Sequence, residues 1–356
     1  MMNNNWQWQL RNALSTKRAL EEKLSLSSSE SEALSVLEAA GQALPFFVTP
    51  HYFSLIDPSD PSDPLRRQVV PGIAEFKIAD IERRDPLGEE DHTVVPHLVH
   101  RYPDRVLLLL TDRCASYCRF CTRKRWVGQG PTPKASELDQ ALRYIAEHPE
   151  VKEVIISGGD PLMNSDGKLK DVLLRIRAIE SVEIIRLASR MLTFAPTRIT
   201  SELVEILKSV QPLYLMVHFN HVRELSPQTE IALNMLADGG VPVFNQTVLF
   251  QGINDSAPVL ETLFRKLVRL RVRLYYLHQC DLAPGVEQFR VPLAQALSII
   301  KALQGRLSGL CMPKFVIDIP GGFGKVPLTP ESIVKRSSDE IVLEGFAGEQ
   351  ASYPLI

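Results

Sequence analysis

The sequence lacks the features of a membrane, secreted or nucleic-acid-binding protein. Its longest clean apolar run, residues 106–110, falls far short of the roughly 18–20 residues a membrane helix needs. Residues 1–10 are polar, with no apolar signal core, which argues against secretion. Neither charge sign dominates: 40 Lys and Arg stand against 42 Asp and Glu, a formal net charge of −2. That balance offers little field to a polyanion or a lipid surface, so no nucleic-acid or membrane partner is expected. Cysteine is scarce, at five in 356 residues, and the count is odd. A disulfide-stapled domain would carry many spaced cysteines in a shorter chain. A reducing, cytoplasmic setting fits better, and clustered thiols there point to metal binding or catalysis.

What is present is an ordinary globular composition, 45% hydrophobic and 23% charged. This length makes one large domain or two to three small ones. Residues 1–99 read as a helical N-terminal region. It holds a serine-rich loop and cap at 25–31, a helix over 32–44, and an ordered connector at 57–65 whose Asp-Pro turns block regular structure. From residue 100 the rhythm changes. Apolar runs at 105–110, 153–157, 184–188, 214–218, 241–249 and 273–277 alternate with helix-like stretches at 137–148, 169–179, 201–210, 228–238 and 257–270. Such alternation predicts βαβ units on a parallel sheet. The expected fold class is α/β, a partial (β/α)6-type barrel over 100–290, with 291–356 as a C-terminal segment. Polar residues cluster where these strands end, the place where barrel enzymes put their chemistry.

Three cysteines, Cys114, Cys118 and Cys121, follow the first of these strands within eight residues. A closed zinc site would want a fourth protein ligand, and the loop offers no other Cys or His. Four-iron clusters usually take four thiolates; three would leave one iron open to an exogenous ligand. The Cys-x3-Cys-x2-Cys spacing, with aromatic Phe120 before the last cysteine, resembles the radical S-adenosylmethionine superfamily. That resemblance implies a [4Fe-4S] cluster on the three cysteines. Its open iron would chelate S-adenosylmethionine, and electron transfer would release a 5′-deoxyadenosyl radical. Gly158, Gly159 and Asp160, ending the next strand, resemble the superfamily's Gly-Gly motif, whose backbone contacts the methionine amino group. Glycine allows such close backbone approach.

A second candidate site lies at residues 315–325, where an apolar strand ends in Asp318 and a glycine-rich turn presents Lys325. A phosphate-loop reading fails, because Ile319 stands where the first glycine belongs and Val326 where Ser or Thr is needed. By itself such a lysine is either a solvated surface residue or an amine that anchors pyridoxal phosphate.

Residues 6–12, 63–70, 85–89, 100–126, 218–221, 245–255, 281–290 and 318–325 together resemble the lysine 2,3-aminomutase family, almost collinearly from Trp6 to about Glu344. The resemblance implies an isomerase carrying pyridoxal 5′-phosphate on Lys325 and moving the α-amino group of L-lysine to the β-carbon. The adenosyl radical would take the β-hydrogen, and nitrogen would migrate through the cofactor's imine. By motif position the resemblance puts Arg101 and Arg105 on the cofactor phosphate and Arg123 on the substrate carboxylate. Asp281 and Asp318 would take the distal ammonium. Ser189, Arg190, His218 and Gln246 would line the S-adenosylmethionine pocket. A flavodoxin or ferredoxin would supply the electron, and a homo-oligomer stays open. Long members continue into a zinc-binding tail, which is missing here, and carry a partner cysteine where this chain has Ser256; no structural zinc is expected. His278 stands where the long enzymes have tyrosine, as in the short branch that serves elongation factor P. Free β-lysine synthesis and β-lysine for elongation factor P therefore both stay open, as does a related amino acid substrate. Outside this chemistry, a non-catalytic iron–sulfur protein is the alternative. The basic run Arg119, Arg123, Lys124 and Arg125 reads as a solvated face plus one substrate arginine.

Overall fold

The computed structural model describes residues 5–40, 44–345 and 347–355. A ten-stranded sheet organises the chain, with its strands in sequence order from edge to edge. β1 (Thr93–Val95), β2 (Leu98–Tyr102) and β3 (Arg105–Thr111) are antiparallel neighbours. β3 then opens a parallel run through β4 (Glu153–Gly158), β5 (Ile184–Ser189), β6 (Leu213–His218), β7 (Val243–Leu249), β8 (Arg273–Gln279) and β9 (Lys314–Ile319). β10 (Gly324–Pro327) folds back on β9. The six expected barrel strands are present, and β9, the strand read to end at Asp318, extends the parallel run by one. Strand pairing does not close the barrel, because β1 and β10 stay as edges. Side chains and loops cross the seam instead. Arg101 of β2 lies 3.5 Å from Asp318 of β9, and a Cβ on Gly88 would stand 2.9 Å from the Gly322 nitrogen.

Local chemistry explains the crossover helices. Ser165, Thr200 and Ser226 accept hydrogen bonds from the first turns of the helices Asp166–Arg177, Ser201–Ser209 and Pro227–Asp238. The helix Ala257–Arg269 buries Leu260, Leu263, Phe264 and Leu267, the i, i+3, i+4, i+7 stripe of a helix laid on a sheet. These side chains join the inward residues of the strands in one continuous core. A smaller cluster of Phe120, Phe250, Ile253 and Phe289 lies beside the cysteine loop.

The N-terminal region differs from its reading in two places. Residues 93–95, and the start of β2 at 98–99, are strands rather than helix, because the open edge of β3 supplies hydrogen-bonding partners that no local pattern announces. The helix expected over 32–44 is Ser28–Ala40; residues 41–43 lie outside the described residues. It starts early because Ser27 and Glu30 exchange backbone–side-chain hydrogen bonds of 2.7 and 3.3 Å, a capping box. The connector at 57–65 is ordered as expected: Asp57, Asp60 and Asp63 accept from Ser59, Ser62 and Leu65 N–H groups at 2.9, 2.8 and 2.8 Å. β11 (Ile333–Arg336), β12 (Glu340–Glu344) and β13 (Gln350–Pro354) form a separate antiparallel sheet. No helix among the described residues is long and apolar enough to cross a membrane.

Glu30 also grips Arg66, with Nε and Nη2 each 2.7 Å from its oxygens, and Arg66 is fully buried. Glu30→Ala leaves that guanidinium without its counter-charge, and is expected to cost about 3 kcal/mol of stability. Urea unfolding measures this, and an unchanged midpoint would contradict it.

Candidate active site

The cysteine loop leaves the C-terminal end of β3 and is pinned by its own cations. Arg119 donates through Nε and Nη2 to Glu75 at 2.8 and 2.6 Å, and to the Pro45 and Leu44 carbonyls. Lys124 shares Glu75 and reaches the Pro284 carbonyl. Arg125 pairs with Asp85, Glu89 and Glu90. The reading of this run as a solvated face is thus corrected: Arg119 is 1% exposed, and the run is an internal brace. Charge runs on a sequence do not show the acids that neutralise them from forty residues away.

Within the loop, burial pushes the Cys114 and Cys121 thiols up, and the neighbouring cysteines add to the rise. The three thiols follow one another within eight residues of a single loop. Among the described residues no three His, Cys, Asp or Glu side chains are placed to hold a single metal ion. A cubane cluster does not need that convergence, since three thiolates bind three different irons at its corners. The donor set, three thiols close together on one loop, fits such a cluster.

The end of β4 packs directly on this loop. A Cβ on Gly158 would come within 2.4 Å of the Thr111 oxygen, and one on Gly159 within 2.3 Å of the Arg113 oxygen. The Gly159 and Asp160 N–H groups donate to those carbonyls at 2.5 and 2.7 Å. Both glycines are needed for the loop's seat, whatever ligand they face. Gly159→Ala is expected to displace the loop and lower bound iron after reconstitution; wild-type iron content would count against that account.

Asp160 accepts from the Ser189 hydroxyl at 2.8 Å and from the Arg190 N–H at 2.8 Å, which ties the ends of β4 and β5 together. Arg190 then sends Nη1 to the Cys118 sulfur at 2.7 Å and Nη2 to buried Glu224 at 2.8 Å and Gln68 at 3.2 Å. His218, at the end of β6, faces the Asn220 oxygen at 2.9 Å and packs 5.7 Å from the Phe120 ring. Burial and then Arg190 push its pKa well down, so it is a neutral imidazole. Arg190 thus links Cys118 to the His218 carbonyl, while Ser189 is held on Asp160, with Glu224 and Gln68 as partners that the sequence did not single out.

The second half of the site lies at the seam. β10 places Lys325 directly opposite Asp318 of β9, and the two side chains form an ion pair. The other Asp318 oxygen faces Arg101. Asp281 follows β8, the strand paired with β9, and burial and then the Asp318 charge raise its carboxyl to about 7. His278 is pushed down to about 3 by burial and then by Lys325, and shares a 3.0 Å hydrogen bond with Gln246. Arg101 and Arg105 both flank the Tyr102 ring, 4.8 and 3.8 Å from its centroid. A Cβ on Gly324, next to Lys325, would stand 3.1 Å from the Tyr102 hydroxyl. Arg105 pairs with neighbouring Asp104 at 2.6 Å. Arg123 turns toward Glu89 and Ser157.

Comparison with known proteins agrees with this geometry. The radical SAM superfamily model matches residues 108–263, and the lysine-2,3-aminomutase model matches residues 300–355. An L-lysine 2,3-aminomutase of Clostridium subterminale is 44% identical over 98% of this chain and 84% of its own. That of Fusobacterium nucleatum is 46% identical over 98% and 82%. A glutamate 2,3-aminomutase of Clostridioides difficile is 35% identical over 97% and 81%. The match spans both halves of the site, from the cysteine loop to Lys325. The chain belongs to the lysine 2,3-aminomutase family, isomerases of the radical S-adenosylmethionine superfamily that work with a [4Fe-4S] cluster and S-adenosylmethionine.

Proposed function

We propose that the protein converts L-lysine to β-lysine, with pyridoxal 5′-phosphate carried on Lys325. The observation behind this reading is the grouping of Lys325, Asp318, Asp281 and Arg101 at the seam of the barrel. A lysine amine beside two arginines stacked on one tyrosine suits a phosphorylated aldehyde: the amine takes the aldehyde, and Arg101 and Arg105 offer forked donors to the phosphate. The cofactor supplies the π system through which nitrogen can move between neighbouring carbons. Two buried carboxylates that feel each other's charge favour a substrate with a distal ammonium. The distal carboxylate of glutamate, named for the 35%-identical relative, would be repelled by Asp281 and Asp318.

The other residues take roles around that pair. Arg123 receives the α-carboxylate. His218 and Arg190 face the nucleotide cofactor beside Cys118, with Gln246 and Ser189 behind them. At Gly159 and Asp160 the N–H groups are spent on the cysteine loop. That leaves carbonyl oxygens, the polarity an ammonium group requires. A flavodoxin- or ferredoxin-type protein would deliver the electron in the cytoplasm.

Borohydride reduction of the pyridoxal-loaded protein, followed by peptide mapping, tests the anchor. The pyridoxyl mass is expected on the peptide containing Lys325; its appearance on a different lysine would overturn the assignment. In the same preparation L-lysine is expected to displace the cofactor from its anchor, and L-glutamate is not.

A further inference from the structure

We infer that Glu89 is a positioning residue for substrate recognition: it locks Arg123 so that one edge of the guanidinium stays open to the α-carboxylate. The inference rests on the reading of Arg123 as the carboxylate anchor. Glu89 lies in the loop that bridges the seam and is 4% exposed. Arg123 Nε lies 3.0 Å from both of its oxygens, and Nη2 lies 2.7 Å from Oε1. Nη1 donates to the Ser157 hydroxyl, at the end of β4, at 3.3 Å.

A guanidinium carries five N–H donors. Glu89 uses the Nε donor and one on Nη2, and Ser157 uses one on Nη1. One donor remains on each terminal nitrogen, the number a carboxylate takes in a bidentate pair. Arg123 thus has one carboxylate of its own and two donors left for a second.

Glu89 is itself held still. Its Oε2 receives Arg125 Nη2 at 3.1 Å, and Arg125 is bound in turn to Asp85 and Glu90 at 3.2 and 3.0 Å. Burial pushes the Glu89 carboxyl up, but Arg123 and Arg125 outweigh it and hold the group below its usual range, so it stays ionised. It balances the Arg123 charge permanently and fixes the plane of the guanidinium. Without it the side chain keeps its charge but loses its direction.

The test compares two ligands that differ in the carboxylate. L-lysine and 1,5-diaminopentane both carry the distal ammonium, and only lysine carries the carboxylate. Binding to the cluster- and cofactor-loaded protein is measured by calorimetry without reductant, so no turnover intervenes. In Glu89→Gln, lysine is expected to bind about tenfold more weakly, the scale of one misaligned charged hydrogen bond. Diaminopentane is expected to stay within about twofold of its wild-type affinity by the same scale. Glu89→Asp keeps the charge but shortens the reach, and should show the same selective loss even if the glutamine variant does not fold. Equal loss for both ligands would make Glu89 a structural brace and overturn the inference. Tighter lysine binding would overturn it too, since Glu89 would then compete with the substrate for Arg123. Failure of the unmodified protein to bind lysine would count instead against the reading of Arg123 itself.

Discussion

Lys325→Ala is expected to abolish β-lysine formation, by at least about a thousandfold, while leaving the iron–sulfur cluster in place. Lys325 sits on β10, directly after Gly321, Gly322 and Gly324, all of which take positive φ. Its ammonium pairs with Asp318, and Arg101 lies on the other oxygen of that carboxylate. Removal of the lysine therefore leaves Asp318 with a counter-charge, so the variant should fold. The three cysteines, on the loop after β3, make no contact that depends on Lys325. The expected result is separable: the visible absorbance of bound pyridoxal disappears, the iron content stays, and product falls to background. Lys325→Arg should not rescue, because a guanidinium is not a nucleophile toward an aldehyde. An unchanged pyridoxal spectrum in the alanine variant would remove Lys325 from its role.

The second large effect is a pH dependence carried by Asp281. Burial and then Asp318 raise its carboxyl to about 7, so its charge changes across the neutral range. The sign follows from the substrate. Below about pH 7 Asp281 takes a proton, and the distal ammonium loses one of its two negative partners. Above it the carboxylate is ionised and attracts the ammonium. We expect kcat/KM for L-lysine to fall with decreasing pH, with an inflection near about 7. Bound lysine favours the ionised form, so the inflection in kcat lies at lower pH than that in kcat/KM. Asp281→Asn should erase the inflection and lower kcat/KM at alkaline pH by about a hundredfold, the scale of a lost partner to a buried charge. A kcat/KM profile that stays flat between about pH 6 and 8 would show that Asp281 does not meet the ammonium.

The parallel strands were legible because each is a short apolar run closed by polar residues, and β9 could be read from the run before Asp318. β1, β2 and β10 were not, since each is short and exists by pairing with a neighbour's free edge. At the site, Cys114, Cys118, Cys121, Asp281, Asp318 and Lys325 stand at strand ends or in motifs, where residue type and position carry meaning. Glu75 and Glu224 stand in no motif, and Glu89 closes the 85–89 stretch without any role that its residue type announces. Their importance comes from burial beside Arg119, Arg123 and Arg190, and one glutamate in a sequence looks like another. The same blindness made the basic run after Cys118 look solvated. What a sequence shows well is a residue type at a strand end or in a motif; what it hides is the partner packed against it from elsewhere in the chain.

The most direct measurement uses anaerobically reconstituted protein with S-adenosylmethionine, pyridoxal 5′-phosphate, dithionite and L-lysine, and looks for β-lysine by mass spectrometry. The account predicts β-lysine that requires both cofactors, and none from L-glutamate. A protein with a verified intact cluster that cleaves S-adenosylmethionine yet yields no β-lysine would contradict the proposed substrate, and one that also yields no 5′-deoxyadenosine would contradict the proposed chemistry.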